Sequence, residues 1–245
     1  MLDVQLLCRE GEGPVLFDMD GTLFAGDLGE TSFFLLLAAE LLQKEPQAIK
    51  EADISLLAQA QTGRVPEILA SYGSAVKQGR MDRAYQITSD YVQDLPYDTV
   101  FHACKQAFDA FSGSPVVFSF DGVAHRLYVK KEAHMLAILQ TCLQAKRDVF
   151  LVSASPLAVV NSFCELFSFS GLTCLAADGL HILPYGQGKV ERLNEAGLKA
   201  AAIAFGNSIG DTQMLQMARY GVFRHPGDDH DLLDLAIRMH WILFP

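Results

Sequence analysis

Much that would mark a chain for a particular compartment or partner is missing from this one. The five cysteines, Cys8, Cys104, Cys142, Cys164 and Cys174, show no C-x-x-C pair or other metal-ligand spacing. They are odd in number, scattered and mostly among apolar neighbours. They read as reduced thiols, not as a disulfide framework or a zinc site. No Lys/Arg block occurs and the net charge is −10. A nucleic-acid or anionic-membrane partner would need basic clusters, so neither is expected. The most apolar stretch, residues 33–42, is too short to cross a bilayer and contains Glu40. Met1 to Gly13 carries acids and no long apolar core, so no secretory signal is expected. There is no repeat or low-complexity segment. The expectation is a cytoplasmic protein, monomer or homodimer.

What is present is enough apolar sequence for a real core: 245 residues, 50% of them hydrophobic. One short stretch organises the rest: Val15-Leu16-Phe17-Asp18-Met19-Asp20-Gly21-Thr22-Leu23-Phe24. The apolar run reads as a fully buried strand. Gly21 reads as the sharp turn that ends it. Alternation along an extended chain puts Asp18 and Asp20 on one side. In a parallel α/β sheet that strand tip opens onto the ligand crevice. Two carboxylates so close repel unless a cation or a shared proton intervenes, and magnesium prefers oxygen ligands. A solvated strand end with two incidental acids is the plainer alternative.

The chain in order predicts helices over residues 31–43, 47–61, 65–78, 81–93 and 98–112, with short links that favour antiparallel packing. This bundle follows the first strand as an insertion. Residues 116–120 and 123–129 flank Asp121-Gly122, a hairpin signal. Its apolar face suggests packing on its own core, a dimer edge or a flap. From residue 131 onward, helices, one of them over 211–220, alternate with strands at 149–152, 172–176, 180–183, 203–205, 222–224 and 241–244. The fold class is α/β: a doubly wound parallel, Rossmann-like sheet with an inserted helical cap. The core is placed at 1–26 plus 114–245, the cap at 27–113.

Polar groups recur at the predicted strand ends. Val149-Phe150-Leu151-Val152 leads into Ser153-Ala154-Ser155, where a hydroxyl and free N–H groups suit an anionic oxygen, or simply cap a helix. Lys189 lies in Gly186-Gln187-Gly188-Lys189, and Ile203-Ala204-Phe205 ends in Gly206-Asn207-Ser208-Ile209-Gly210-Asp211. An ammonium at the first position could neutralise a phosphoryl oxygen, although a surface lysine is the commoner case.

Taken in order, these motifs resemble the haloacid dehalogenase-like phosphohydrolases, and within them the subclass that includes phosphoserine phosphatase, with its helical cap. Asp18 to Leu23, Val152 to Ser155, Lys189 to Leu193 and Gly206 to Asp211 match its four motifs, and His225-Pro226 through Leu232, Ala236 and Trp241-Ile242-Leu243 resemble its closing elements. The resemblance implies a magnesium-dependent phosphatase that hydrolyses a small phosphomonoester through an aspartyl-phosphate. Asp18 would be the nucleophile, Asp20 the acid and base, Ser153 and Lys189 the phosphoryl contacts. Gly21, Thr22 and Ala154 would line the substrate site. Mg2+ would be held by Asp18, the main-chain carbonyl of Asp20, Asn207 and Asp211. Asn207 stands where the family usually has an acid, so an amide replaces a charge, and Asp211 is either a ligand through water or an orienter of Lys189.

Asp27 and Glu30 open the first cap helix, where acids in similar phosphatases face an amino or trimethylammonium group; Gly29 replaces one such acid. That implies an amine-bearing leaving group, as in phosphoserine, phosphoethanolamine or phosphocholine. The same spacing is a capping-box pattern. Two other classes stay open: an aspartyl-based phosphotransferase, and a phosphate-binding module without turnover.

Overall fold

The computed structural model describes residues 4–225 and 230–244. Pro226 of the expected closing motif falls outside them, as do its next three neighbours. The chain begins with α1 (Val4–Glu10), β1 (Val15–Phe17) and β2 (Phe24–Gly26). A helical layer follows: α2 (Leu28–Leu42), α3 (Glu51–Ile54), α4 (Arg64–Lys77), α5 (Met81–Gln93) and α6 (Tyr97–Ala110). Then come β3 (Val116–Phe120), β4 (Val123–Leu127), β5 (Val129–Lys131), α7 (Ala133–Gln144), β6 (Val149–Pro156), α8 (Leu157–Leu166) and β7 (Leu172–Ala177). The chain closes with α9 (Gln187–Glu195), β8 (Ala201–Gly206), α10 (Thr212–Gln216), β9 (Ala218–Arg224), α11 (His230–Arg238) and β10 (Ile242–Phe244).

Six strands form one parallel sheet in the order β10-β9-β8-β1-β6-β7. The short apolar run of β1 lies at its centre, with Val15 opposite both Val149 and Ile203. All three β1 residues are buried, and Phe17 stacks on Phe205 at 4.4 Å. The carboxyl ends of β1, β6 and β8 therefore emerge side by side, as a doubly wound sheet requires of a ligand crevice.

The helical layer sits over that end. Helix α2 is buried on nearly every side from Leu28 to Ala39, because α4, α5 and α6 surround it. Helix α6 packs on α8 and α5 on β6, which joins the layer to the sheet. The two chain crossings run together as the antiparallel pair β2–β5, with Phe24 opposite Lys131 and Gly26 opposite Val129. No described helix is long and apolar enough to cross a membrane.

Three expectations are corrected. The helix over 47–61 is broken into a 3-10 turn at Pro46–Ala48, the short α3, and a second 3-10 turn at Ser55–Gln59. Asp53 accepts the Lys50 N–H at 2.9 Å and starts the chain afresh there. Residues 180–183 form no strand. The Asp178 carboxylate accepts the N–H groups of Leu180 and His181, both at 3.0 Å, and Leu180 stays 84% exposed. The helix expected to reach Tyr220 stops at Gln216, since Ala218 and Tyr220 pair with Ala201 and Ile203 in the sheet. The β3–β4 hairpin packs on α4 and on the second 3-10 turn. Phe118 meets Phe34 of α2 at 4.9 Å, so this apolar face is covered within the chain.

Candidate active site

The tip of β1 presents Asp18 to a buried lysine. Lys189, at the start of α9 and 2% exposed, donates through Nζ to Asp18 Oδ1 at 2.6 Å, Asp211 Oδ1 at 2.7 Å and the Val152 carbonyl at 2.9 Å. One cation thus bridges the tips of β1 and β6 and the loop after β8. Thr22 Oγ1 donates to Asp18 Oδ2 at 2.9 Å. Burial pushes the Asp18 carboxyl up to about 7, with Asp211 adding to the rise and Lys189 opposing it.

Asp20 lies in a different setting. Its Oδ1 accepts the Leu28 N–H of α2 at 2.7 Å, and its Oδ2 accepts Ser155 Oγ at 2.7 Å and Ser153 Oγ at a long 3.4 Å. Burial holds its carboxyl above the usual range, opposed first by the Ser155 bond. The first turn of α2 therefore fixes the second acid. Gly29 is explained by the same contact, because a Cβ there would collide with Ser155 Oγ. Gly21 has φ +74°, and any side chain on it would run into the Asn207 amide.

Asn207 faces oxygen on three sides. Its amide nitrogen, in the orientation its neighbours satisfy, donates to the Asp20 main-chain carbonyl at 3.0 Å, Thr22 Oγ1 at 3.1 Å and Asp18 Oδ2 at 3.2 Å. Asp211 is saturated. Besides Lys189 it accepts the N–H groups of Asn207 and Ser208 and Ser208 Oγ, at 3.0, 2.9 and 2.9 Å. This favours the orienting role over the ligand role for Asp211. Among the described residues no group of three or more His, Cys, Asp or Glu is arranged to hold a metal ion. The oxygen donors that do converge are the Asp18 carboxylate, the Asp20 carbonyl and, with its amide turned, the Asn207 side chain. That hard-oxygen set fits a magnesium ion that keeps several waters.

These groups floor a cavity of about 430 Å³, the size of a small-molecule site. Asp18, Asp20, Gly21, Asp27, Ser153, Ala154, Lys189, Asn207 and Asp211 all line it. Thr22 stands behind Asp18, fully buried. Asp27 also caps α2, accepting the Glu30 N–H at 2.6 Å. Glu30 does not line the cavity. Its Oε1 accepts Tyr72 Oη at 3.0 Å and lies 3.1 Å from His125 Nδ1, so it ties the hairpin to α2 and α4. Asp27 therefore both caps α2 and lines the cavity, whereas Glu30 is engaged within the fold.

Several lining residues escaped the sequence reading. Ser155 was legible in outline, since alternation puts it on the same side as Ser153. Arg126, Arg224, Tyr85 and Tyr185 carried no local signal. Tyr85 of α5 and Tyr185 of the core face each other at 5.5 Å across the mouth. Arg224 donates to the Gly21 carbonyl and to Glu132 Oε1, the latter at 2.9 Å, which steadies the turn after β1.

A family model for haloacid dehalogenase-like hydrolases matches residues 15–216. The chain belongs to that family. No curated protein matches it. Among solved structures it is similar to a protein of unknown function from Bordetella pertussis Tohama I, at 16% identity over 96% of this chain and 99% of that one, with TM-score 0.64. A conserved functionally unknown protein from Anaerococcus prevotii DSM 20548 follows at 13% identity, 95% and 85% coverage and TM-score 0.61. A phosphoserine phosphohydrolase-like protein from Francisella tularensis matches at 12% identity, 91% and 92% coverage and TM-score 0.50. At such identities the likeness is one of fold.

Proposed function

We propose that this hydrolase is a magnesium-dependent phosphatase acting on a small phosphomonoester through an aspartyl-phosphate on Asp18. The observation that carries the reading is the split environment of two neighbouring carboxylates: Asp18 faces a buried ammonium, and Asp20 faces hydroxyl and amide donors. Such a pair divides nucleophile from acid.

In the first step an Asp18 oxygen attacks phosphorus and the ester P–O bond breaks. Asp20, whose carboxyl burial raises above the usual range, gives its proton to the leaving oxygen. In the second step water attacks the acyl phosphate as Asp20 takes its proton back, inorganic phosphate leaves and Asp18 is restored. Lys189 neutralises phosphoryl charge from below, and the Ser153 hydroxyl and the N–H groups at the carboxyl end of β6 contact its oxygens. Asp18, the Asp20 carbonyl and Asn207 would hold magnesium, which would supply positive charge near the phosphoryl group and favour ionised Asp18. Asp211 keeps Lys189 in place.

The test is phosphate release from a panel of aryl and alkyl phosphates, with and without magnesium, for the wild type and Asp18→Asn. Magnesium-dependent release that the variant loses while staying folded supports the proposal. Absence of release from every ester sinks it. Transfer to an added alcohol in preference to water would make the protein a phosphotransferase.

A further inference from the structure

Alternation along β4 buries His125 and Leu127 against the helical layer and turns Ala124 and Arg126 outward. Arg126 thereby reaches the cavity, whose lining it shares with Asp27 and Tyr85. The other strong cations of the cavity are spent. Lys189 is taken by Asp18 and Asp211, and Arg224 by Glu132 and the Gly21 carbonyl. Among the described residues, no hydrogen bond or ion pair to the Arg126 guanidinium is found. The strand that carries it is nevertheless fixed. Glu30 links Tyr72 to His125, and His125 lies against Phe34 and Phe118 at 4.9 and 5.2 Å. Asp27 does not cancel the charge, since one oxygen caps α2 and burial beside Asp20 and Glu30 favours its neutral form.

We propose that Arg126, presented by the β3–β4 hairpin, determines specificity by pairing with a second anionic group on the leaving portion of the substrate. The preferred substrates are then phosphate esters of hydroxy acids. This rests on the phosphatase reading. The guanidinium offers a planar fork of donors that matches a carboxylate in two parallel hydrogen bonds. A held strand makes that fork part of a preformed site, which lowers the ordering cost of binding. Glu30 acts through this strand as a positioning residue.

The probes are phosphoglycolate, ethyl phosphate and phosphoethanolamine, whose leaving groups are anionic, neutral and cationic at similar size. Wild-type kcat/KM should favour phosphoglycolate over the other two by at least about tenfold, as one charged, partly desolvated pair allows. Arg126→Gln should erase that ratio, chiefly through KM for phosphoglycolate, and Arg126→Lys should restore part of it. Phosphoethanolamine preferred by the wild type, or a ratio unmoved by Arg126→Gln, overturns the assignment of Arg126 while leaving the phosphatase reading intact. Absence of turnover on all three and on an aryl phosphate overturns both.

Discussion

Lys189→Met keeps the length of the side chain and removes the charge that holds the site together. Two buried carboxyl groups, Asp18 and Asp211, then face each other with no cation between them, and the Val152 carbonyl loses its donor. Breaking a buried ion pair on one side costs about 3–5 kcal/mol. For a chain of this size that corresponds to a drop in Tm of about 6–20 °C. The cost depends on pH, and its sign follows from the direction of the shift. Asp18 already titrates above its unfolded value, at about 7 in the presence of the lysine. Removing the lysine raises it further. A carboxyl raised in the folded state binds more protons there than in the unfolded chain, so stability falls as pH rises through the interval between the two pKa values. That interval runs from about 4 upward past neutrality. The variant should therefore lie closer to the wild type at pH ~5, where the Asp18 carboxyl can take up a proton, and show the full deficit at pH ~8. Thermal unfolding followed by circular dichroism, without magnesium, at both pH values reads this directly. A variant within about 1 kcal/mol of the wild type at the higher pH would refute the buried bridge.

Two further substitutions probe neighbouring groups. Asn207→Asp adds a carboxylate beside Asp18, so it should lower the Tm of the metal-free protein by a few degrees and lower the magnesium concentration that restores it, read by thermal shift during a magnesium titration. An unchanged titration would place Asn207 away from the cation. Gly29→Ala forces a Cβ against Ser155 Oγ and should disturb the Asp20 hydrogen bonds, cutting kcat by at least about tenfold with little change in KM, read by steady-state kinetics. Wild-type kcat in that variant would show that Ser155 does not orient Asp20.

The parts of the fold and site that could be read in advance are those written in contiguous residues. The Val-Leu-Phe run of β1, its acid pair, and the Ser, Lys and Asn/Asp tips that follow mark strand ends by period and position, and the sheet brings them together. What could not be read depends on partners far along the chain. Glu30 meets residues 42 and 95 positions away, so a helix-entry acid that looks available to a substrate is spent inside the fold. The hairpin announced itself through Asp121-Gly122, yet its packing surface is Phe34 of a different layer. Arg126 became a cavity residue only because of that placement. At 180–183, apolar residues suggested a strand, but side-chain capture of two N–H groups by Asp178 decided the local conformation.

The central claim is that Asp18 carries the phosphoryl group. Rapid acid quenching of the protein during turnover of an aryl phosphate with magnesium, followed by proteolysis and mass spectrometry, tests it most directly. The account predicts one added phosphoryl group on the peptide containing Asp18, placed on Asp18 itself by fragmentation and missing from Asp18→Asn. A phosphoryl group on another residue, or sustained phosphate release by Asp18→Asn, would contradict it.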